Sequence, residues 1–372
     1  MKREACDARI ISPLWQSFSP QRAQGIRRRI ARRSLCVSPV PSAVKAVLKR
    51  KDMVLRNGLS VCVVILALLT IGAEASAPCA PLATAPQVSA GFQAEVARLA
   101  AEGLTLKEAV EASLEAGAHH LAAVFQRTNP KEPSQAFEFR IIENDGRVVK
   151  TIFRRTEFFF SFAAAGQPGK ANATDINGDG RKEILVQSSS GGNCWSCNPT
   201  EVYQVRNHKG ELIAAGPIQR LADLNGDGIQ ELLVTDARWE SYDDLSHAAS
   251  PTAVMVYAWR GGRYVYASRD FAAFYQSEIA RLRAAIEEAK AEITADEFSD
   301  EIYIGRVIAL AITYGHLGDA TRGALELAAL LNANTRSAAQ TKHRAPMIED
   351  FRNGESSRKL REMKHGDPMP IG

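Results

Sequence analysis

Two stretches of this chain carry oxygen donors at alternate positions of a glycine-kinked turn. They read Asp-Ile-Asn-Gly-Asp-Gly-Arg-Lys-Glu from Asp175 and Asp-Leu-Asn-Gly-Asp-Gly-Ile-Gln-Glu from Asp223. Several carboxylate and amide oxygens gathered in one tight loop are what a hard cation such as Ca²⁺ requires. In the first copy Asp175, Asn177 and Asp179 present side-chain oxygens, and the Arg181 carbonyl and Glu183 carboxylate complete the set. The second copy offers Asp223, Asn225, Asp227, the Ile229 carbonyl and Glu231. Without a cation, three like charges in one turn repel. Arg181 and Lys182 offset part of that charge in the first loop, whereas Ile229 and Gln230 offset none in the second. The second loop is therefore expected to bind Ca²⁺ more tightly.

Position twelve of each stretch, where an EF-hand places its bidentate glutamate on a helix, holds Val186 and Val234. Strand-forming residues surround both, so these are strand-bounded loops. The pattern resembles the FG-GAP/VCBS repeat family, whose members include the calcium loops of integrin-type β-propellers. Its signature, Asp-x-Asn-x-Asp-Gly-x-x-Asp before an aliphatic strand, matches both loops except that Glu183 and Glu231 stand where the family has Asp. The resemblance covers about residues 170–240. It implies calcium-stabilised β structure outside the cytoplasm, often in adhesion or recognition, and no particular reaction.

Other chemistry is sparser. Cys194-Trp195-Ser196-Cys197 is a CxxC, but Gly191-Gly192-Asn193 before it and Asn198-Pro199 after it describe a loop, not the helix start that a redox thiol needs. A loop-closing disulfide is the favoured reading, with a thiol-disulfide factor as the alternative. Two cysteines make no structural zinc site without histidines, and His208 is the only one nearby. His119-His120 is read as a half-exposed pair on a helix face, and Asp243 and Asp244 as solvated surface. HExxH, Gly-x-Ser-x-Gly and phosphate-loop motifs are absent from the sequence. An envelope enzyme with a site around Trp195, Trp239 and Asp243 is a further alternative, weakened by that lack.

The loops need elements to position them. Helical patterns are expected near 91–102 and, from the spacing of Leu106, Ala109, Ala112, Leu114 and Ala116, over 106–127. From about Ala136 the apolar period becomes two. Hairpins are expected around Asn144-Asp145-Gly146, His208-Lys209-Gly210 and Gly261-Gly262. The acidic loops fall inside this region, with about four short strands between them, one propeller blade's worth. After Asp270 the residues Tyr275, Ile279, Leu282, Ile286, Ala289 and Ile293 form a helical seam, favoured as packing within the chain over a coiled-coil partner. Residues 302–314 read as a buried helix and 320–332 as another, faintly like one tetratricopeptide unit. The polar tail from 337 reads as disordered. The fold class is α+β: a central antiparallel β region over 136–268 with blade-like repeats, flanked by a linker and helical pair (78–135) and a helical segment (269–336). Two repeats cannot close a propeller, so a partial, helix-capped sheet is favoured.

Charge is unevenly spread. Residues 1–52 hold thirteen Lys/Arg against Glu4, Asp7 and Asp52, a balance of +10, so with a net +4 the remainder carries −6. That mildly acidic remainder lacks the basic stripe of a nucleic-acid binder. Residues 1–52 read as a basic leader or a mis-called upstream extension. Residues 53–77 read as a secretory signal: Arg56, an apolar stretch over 59–71 too short for a stable membrane span, and small-residue cleavage sites at Ala73-Glu74-Ala75 and Ala75-Ser76-Ala77. Removal of that signal would leave Cys79, Cys194 and Cys197 in an oxidising compartment, periplasmic or secreted. The sequence thus points to an exported, non-enzymatic protein that takes up Ca²⁺ as a structural staple and recognises or assembles with a protein or glycan partner.

Overall fold

The structure is a computed structural model and describes residues 86–162, 172–292, 297–333 and 338–370. The expected leader, the signal segment, Cys79 and Ile293 lie outside the described residues. Helix α1 (Ala90–Ala101) opens the described chain where a helix was expected. The second helix, expected over 106–127, is instead two antiparallel strands, β1 (Leu104–Ala112) and β2 (His119–Arg127). The reason is burial on both faces. Leu121, Ala123 and Phe125 of β2 pack with Phe92 and Leu99 of α1, while Ala122 and Val124 pack with a second sheet. Such a strand shows a continuous apolar run, which periodicity alone does not separate from a buried helix. A bulge between Leu106 and Glu108 further blurs the alternation of β1. The two histidines accordingly sit on a strand: His119 is exposed and His120 is fully buried.

Three antiparallel sheets follow one another. The first runs β1-β2-β3-β4, with β3 spanning Phe137–Asn144 and β4 Val149–Glu157. The second runs β5 (Phe159–Ser161), β7 (Glu183–Ser189), β8 (Thr200–Arg206) and β9 (Lys209–Gly216), with β6 (Ala173–Thr174) also paired to β7. The third runs β10 (Ile218–Ala222), β11 (Glu231–Thr235), β12 (Val254–Arg260) and β13 (Arg263–Tyr266). All three expected hairpins form. The strands between the two acidic loops number four, as expected, but β10 belongs to the third sheet and not to the second.

Alternate residues of each strand face different layers. In the second sheet Ile184, Val186, Tyr203 and Val205 face the first sheet, and Leu185 and Val202 face the third. In the third, Leu232, Met255 and Tyr257 face the second, and Val256 and Ala258 face Phe271 and Tyr275. An aromatic contact ties the first two sheets, with the Phe153 and Tyr203 rings 4.7 Å apart.

Helices dominate the C-terminal side: α2 (Ala272–Glu292), α3 (Glu297–Leu317), α4 (Ala320–Ala333), α5 (Ala338–Asn353) and α6 (Glu355–Glu362). The seam of α2 is buried from Tyr275 to Ala289, within the chain. The tail expected to be disordered is packed. Met347, Ile348 and Phe351 of α5 and Leu360 of α6 join the helical core, where Phe351 stacks on buried Trp239 at 5.6 Å. Residues 366–369 then pair with β13, Met369 N–H donating to the Tyr264 carbonyl at 2.9 Å. These few large apolar residues are diluted among charged ones, so composition hides them. No helix among the described residues is long and apolar enough to cross a membrane.

Candidate metal centre

Each acidic loop closes a hairpin within one sheet. The first joins β6 to β7, with Thr174 opposite Glu183, and the second joins β10 to β11, with Ala222 opposite Glu231. The residue before the first Asp therefore faces the final Glu in both. Inside the loops the same hydrogen bonds recur. Asp175 accepts from the Gly178 and Gly180 N–H groups at 2.8 and 2.9 Å, and Asp223 from Gly226 and Gly228 at 2.6 and 2.9 Å. Asn177 Oδ1 accepts from Asp179 N–H and Asn225 Oδ1 from Asp227 N–H, both at 3.0 Å. Asp179 accepts from Arg181 N–H at 2.9 Å, and Asp227 from Ile229 N–H at 2.8 Å. Glu183 reaches back to Ile176 N–H at 3.0 Å, and Glu231 to Leu224 N–H at 2.8 Å. The sequence repeat is thus also a repeat of backbone hydrogen bonding along the turn.

The donor chemistry suits a hard cation. Each carboxylate oxygen that accepts one N–H keeps a further lone pair. Glu183 and Glu231, only 1% and 2% exposed, have no ion-pair partner among the described residues. Burial, and then the charges of Asp179 and Asp175, push the Glu183 carboxyl up to about 7. Burial, followed by Asp227 and Asp223, raises Glu231 in the same direction. A buried, crowded carboxylate is costly unless something positive neutralises it. A Ca²⁺ ion held by the Asp, Asn and Glu oxygens of each loop would supply that neutralising charge.

The loops also differ. Asn177 is buried and its amide donates to Glu183 at 2.9 Å, whereas Asn225 is exposed and donates to Asp227 at 2.9 Å. Arg181 turns to Glu115, 3.9 Å away, while Arg206 lies 3.7 Å from Asp179. An arginine from β8 thus brings a positive charge to the first loop, which spacing along the loop gave no means of finding.

The two loops meet. Gln230 N–H donates to the Ile176 carbonyl at 2.8 Å, and a Cβ on Gly178 would lie 3.0 Å from the Ile229 side chain. The Tyr264 hydroxyl donates to the Gln230 carbonyl at 3.3 Å, and burial together with the Glu183, Glu231 and Asp175 charges raises that phenol well above its ordinary range. The sequence placed the loops 48 residues apart (223 minus 175). Stacking of the second and third sheets makes them neighbours.

Elsewhere, Cys194 and Cys197 are bonded to each other across a three-residue turn (Trp195–Cys197). Trp239 is fully buried, donates to Asp236 at 2.9 Å and sits in the helical core, so it does not join Trp195 in an open site. Trp195 instead packs its ring 5.7 Å from His247. Two features had no counterpart in the sequence reading. One is a cavity of about 630 Å³ between the second and third sheets and the C-terminal segment, lined mostly by apolar groups such as Val234, Met255, Tyr257 and Met369. Its wall comes from many short segments, which a linear pattern does not reveal. The other is a convergence of Glu115, Glu143 and His208, whose ligand atoms all lie within 4.8 Å of one another. His208 was the one histidine noted near the CxxC, but its partners come from the β1–β2 connection and from β3. Comparison with family models, with curated proteins and with solved structures finds no match to this chain.

Proposed function

We propose that this chain is an exported calcium-binding protein of the FG-GAP/VCBS repeat kind, in which Ca²⁺ staples β structure that serves recognition or assembly. The observation that supports this most directly is the pair of matching loops, each ending on a buried glutamate with no cationic partner among the described residues. On this reading the three antiparallel sheets act as blade-like units, and an ion in each loop holds neighbouring sheets together through the contact of Gln230 with Ile176. The disulfide suits an oxidising compartment, periplasmic or extracellular. The large apolar cavity between the sheets offers a place for a partner group to enter.

Calorimetric titration of Ca²⁺ into the metal-stripped protein tests the reading. The expected result is two ions per chain in the extracellular affinity range of about 10⁻⁴–10⁻³ M. Asp175→Asn removes the weaker site and Asp223→Asn the tighter one. Absence of calcium heat in the wild type would refute the function, and the reverse order of affinities would refute the ranking of the loops.

A further inference from the structure

We propose that Glu115, Glu143 and His208 bind one divalent transition metal of the Zn²⁺ class, at a site distinct from the calcium loops. The three residues come from different places: Glu115 from the connection between β1 and β2, Glu143 from β3, and His208 from the turn between β8 and β9. Packing of the first sheet on the second brings them together. His208 Nδ1 lies 2.8 Å from Glu143 Oε2 and 3.8 Å from Glu115 Oε2. Glu115 is itself held by the Asn207 and His208 N–H groups at 2.9 and 3.0 Å, which fixes its carboxylate against the turn that carries the imidazole. Arg181 lies 3.9 Å from Glu115 Oε1.

The independent observation is His120. Its ring is fully buried, and Leu114 N–H donates to Nδ1 at 3.3 Å, which leaves the ring proton on Nε2. Among the described residues Nε2 has no hydrogen-bond partner, and Glu143 Oε2, an atom of the cluster, lies 3.5 Å from it. The same oxygen is the one His208 approaches. A buried N–H directed at a ligating carboxylate is the outer-shell arrangement that orients metal ligands. Lys150 Nζ occupies the other side of that carboxylate, 3.1 Å from Oε1, leaving Oε2 as the atom that faces the imidazole.

The donor types choose the metal. Ca²⁺ and Mg²⁺ take oxygen ligands, whereas one imidazole with two carboxylates suits Zn²⁺ and its neighbours in the first transition row. Three protein ligands leave a coordination position for water or for a group on a partner. Access is open, since the His208 side chain is 57% exposed while Glu143 is buried. The assignment does not depend on calcium binding by the acidic loops.

Untagged protein in ~10 mM Ca²⁺, well above the expected Kd range of the acidic loops, is titrated with Co²⁺ and followed by visible absorption, then with Zn²⁺ by calorimetry. The expected result is one Co²⁺ per chain, displaced by Zn²⁺. His208→Ala, a change in an exposed turn, is expected to abolish the cobalt spectrum, and His120→Gln to weaken binding by about 10–100-fold. The doubly substituted Asp175→Asn, Asp223→Asn protein is expected to bind Zn²⁺ as the wild type does, which separates this site from the calcium loops. No cobalt spectrum and no zinc heat in the wild type would show that the cluster is only an ion-paired network. Unchanged binding by His208→Ala would place the metal elsewhere. Either result overturns the proposal.

Discussion

Glu183 illustrates what a loop residue costs when it is taken out of water. Its folded carboxyl titrates near 7 against an ordinary value of 4.5 because of burial and the adjacent aspartates. Between those values the native state holds a proton that the unfolded chain has released. In chelator, stability should therefore fall as pH rises from about 4.5 to about 7, with a slope of at most ~1.4 kcal/mol per pH unit for this one group. Saturating Ca²⁺ replaces the proton and removes that slope. Urea midpoints measured across this range, with chelator, should lose the corresponding dependence in Glu183→Gln. An identical pH profile in wild type and variant would show that Glu183 is not the group responsible. The oxygen donors themselves were legible, because Asp, Asn and Gly at fixed spacing carry their own turn chemistry. The burial of the two glutamates was not, because it depends on strands that pair across each hairpin and on a third sheet stacked above.

Elements couple the two loops through the Gln230–Ile176 hydrogen bond and the close approach of Gly178 to Ile229. Gly178 has φ +73°, and any Cβ there would press on Ile229 of the other loop. Gly178→Ala should lose about 1–2 kcal/mol from backbone strain alone, and its effect should reach Ca²⁺ binding at 223–231 as well as at 175–183. Titrating Asp175→Asn with and without the added Gly178→Ala change isolates the second loop. Equal affinities in the two proteins would mean that the loops act independently. Strands following the loops were readable from their aliphatic runs, as were the three hairpins from their turn residues. The β1–β2 pair was not, because a strand with both faces buried loses the alternation by which a strand is recognised. His120 was misplaced for the same reason, and with it the cluster that contains Glu115, Glu143 and His208.

At the scale of the molecule, the C-terminal residues close the helical core and the apolar cavity. Phe351 packs against both Trp239 and Tyr242, with ring centroids 5.6 and 5.8 Å away. Phe351→Ala should destabilise the fold by about 3–5 kcal/mol, read as a lowered denaturant midpoint with unchanged slope. A change under about 0.5 kcal/mol would return residues 338–362 to the status of a loose tail. Charge and polarity concealed this packing in the sequence, since only a handful of apolar residues in the tail are buried.

Thermal unfolding in millimolar Ca²⁺ and in chelator is the most direct test that these ions hold the molecule together. With a Kd of ~0.1 mM and ~1 mM free ion, each site adds about 1.4 kcal/mol to folding stability. Two sites then correspond to a rise in Tm of roughly 5 °C for a domain of this size. That rise should shrink in either Asp175→Asn or Asp223→Asn, and more in Asp223→Asn, which removes the tighter site. Coincident melting curves in calcium and chelator would contradict the assignment of both loops.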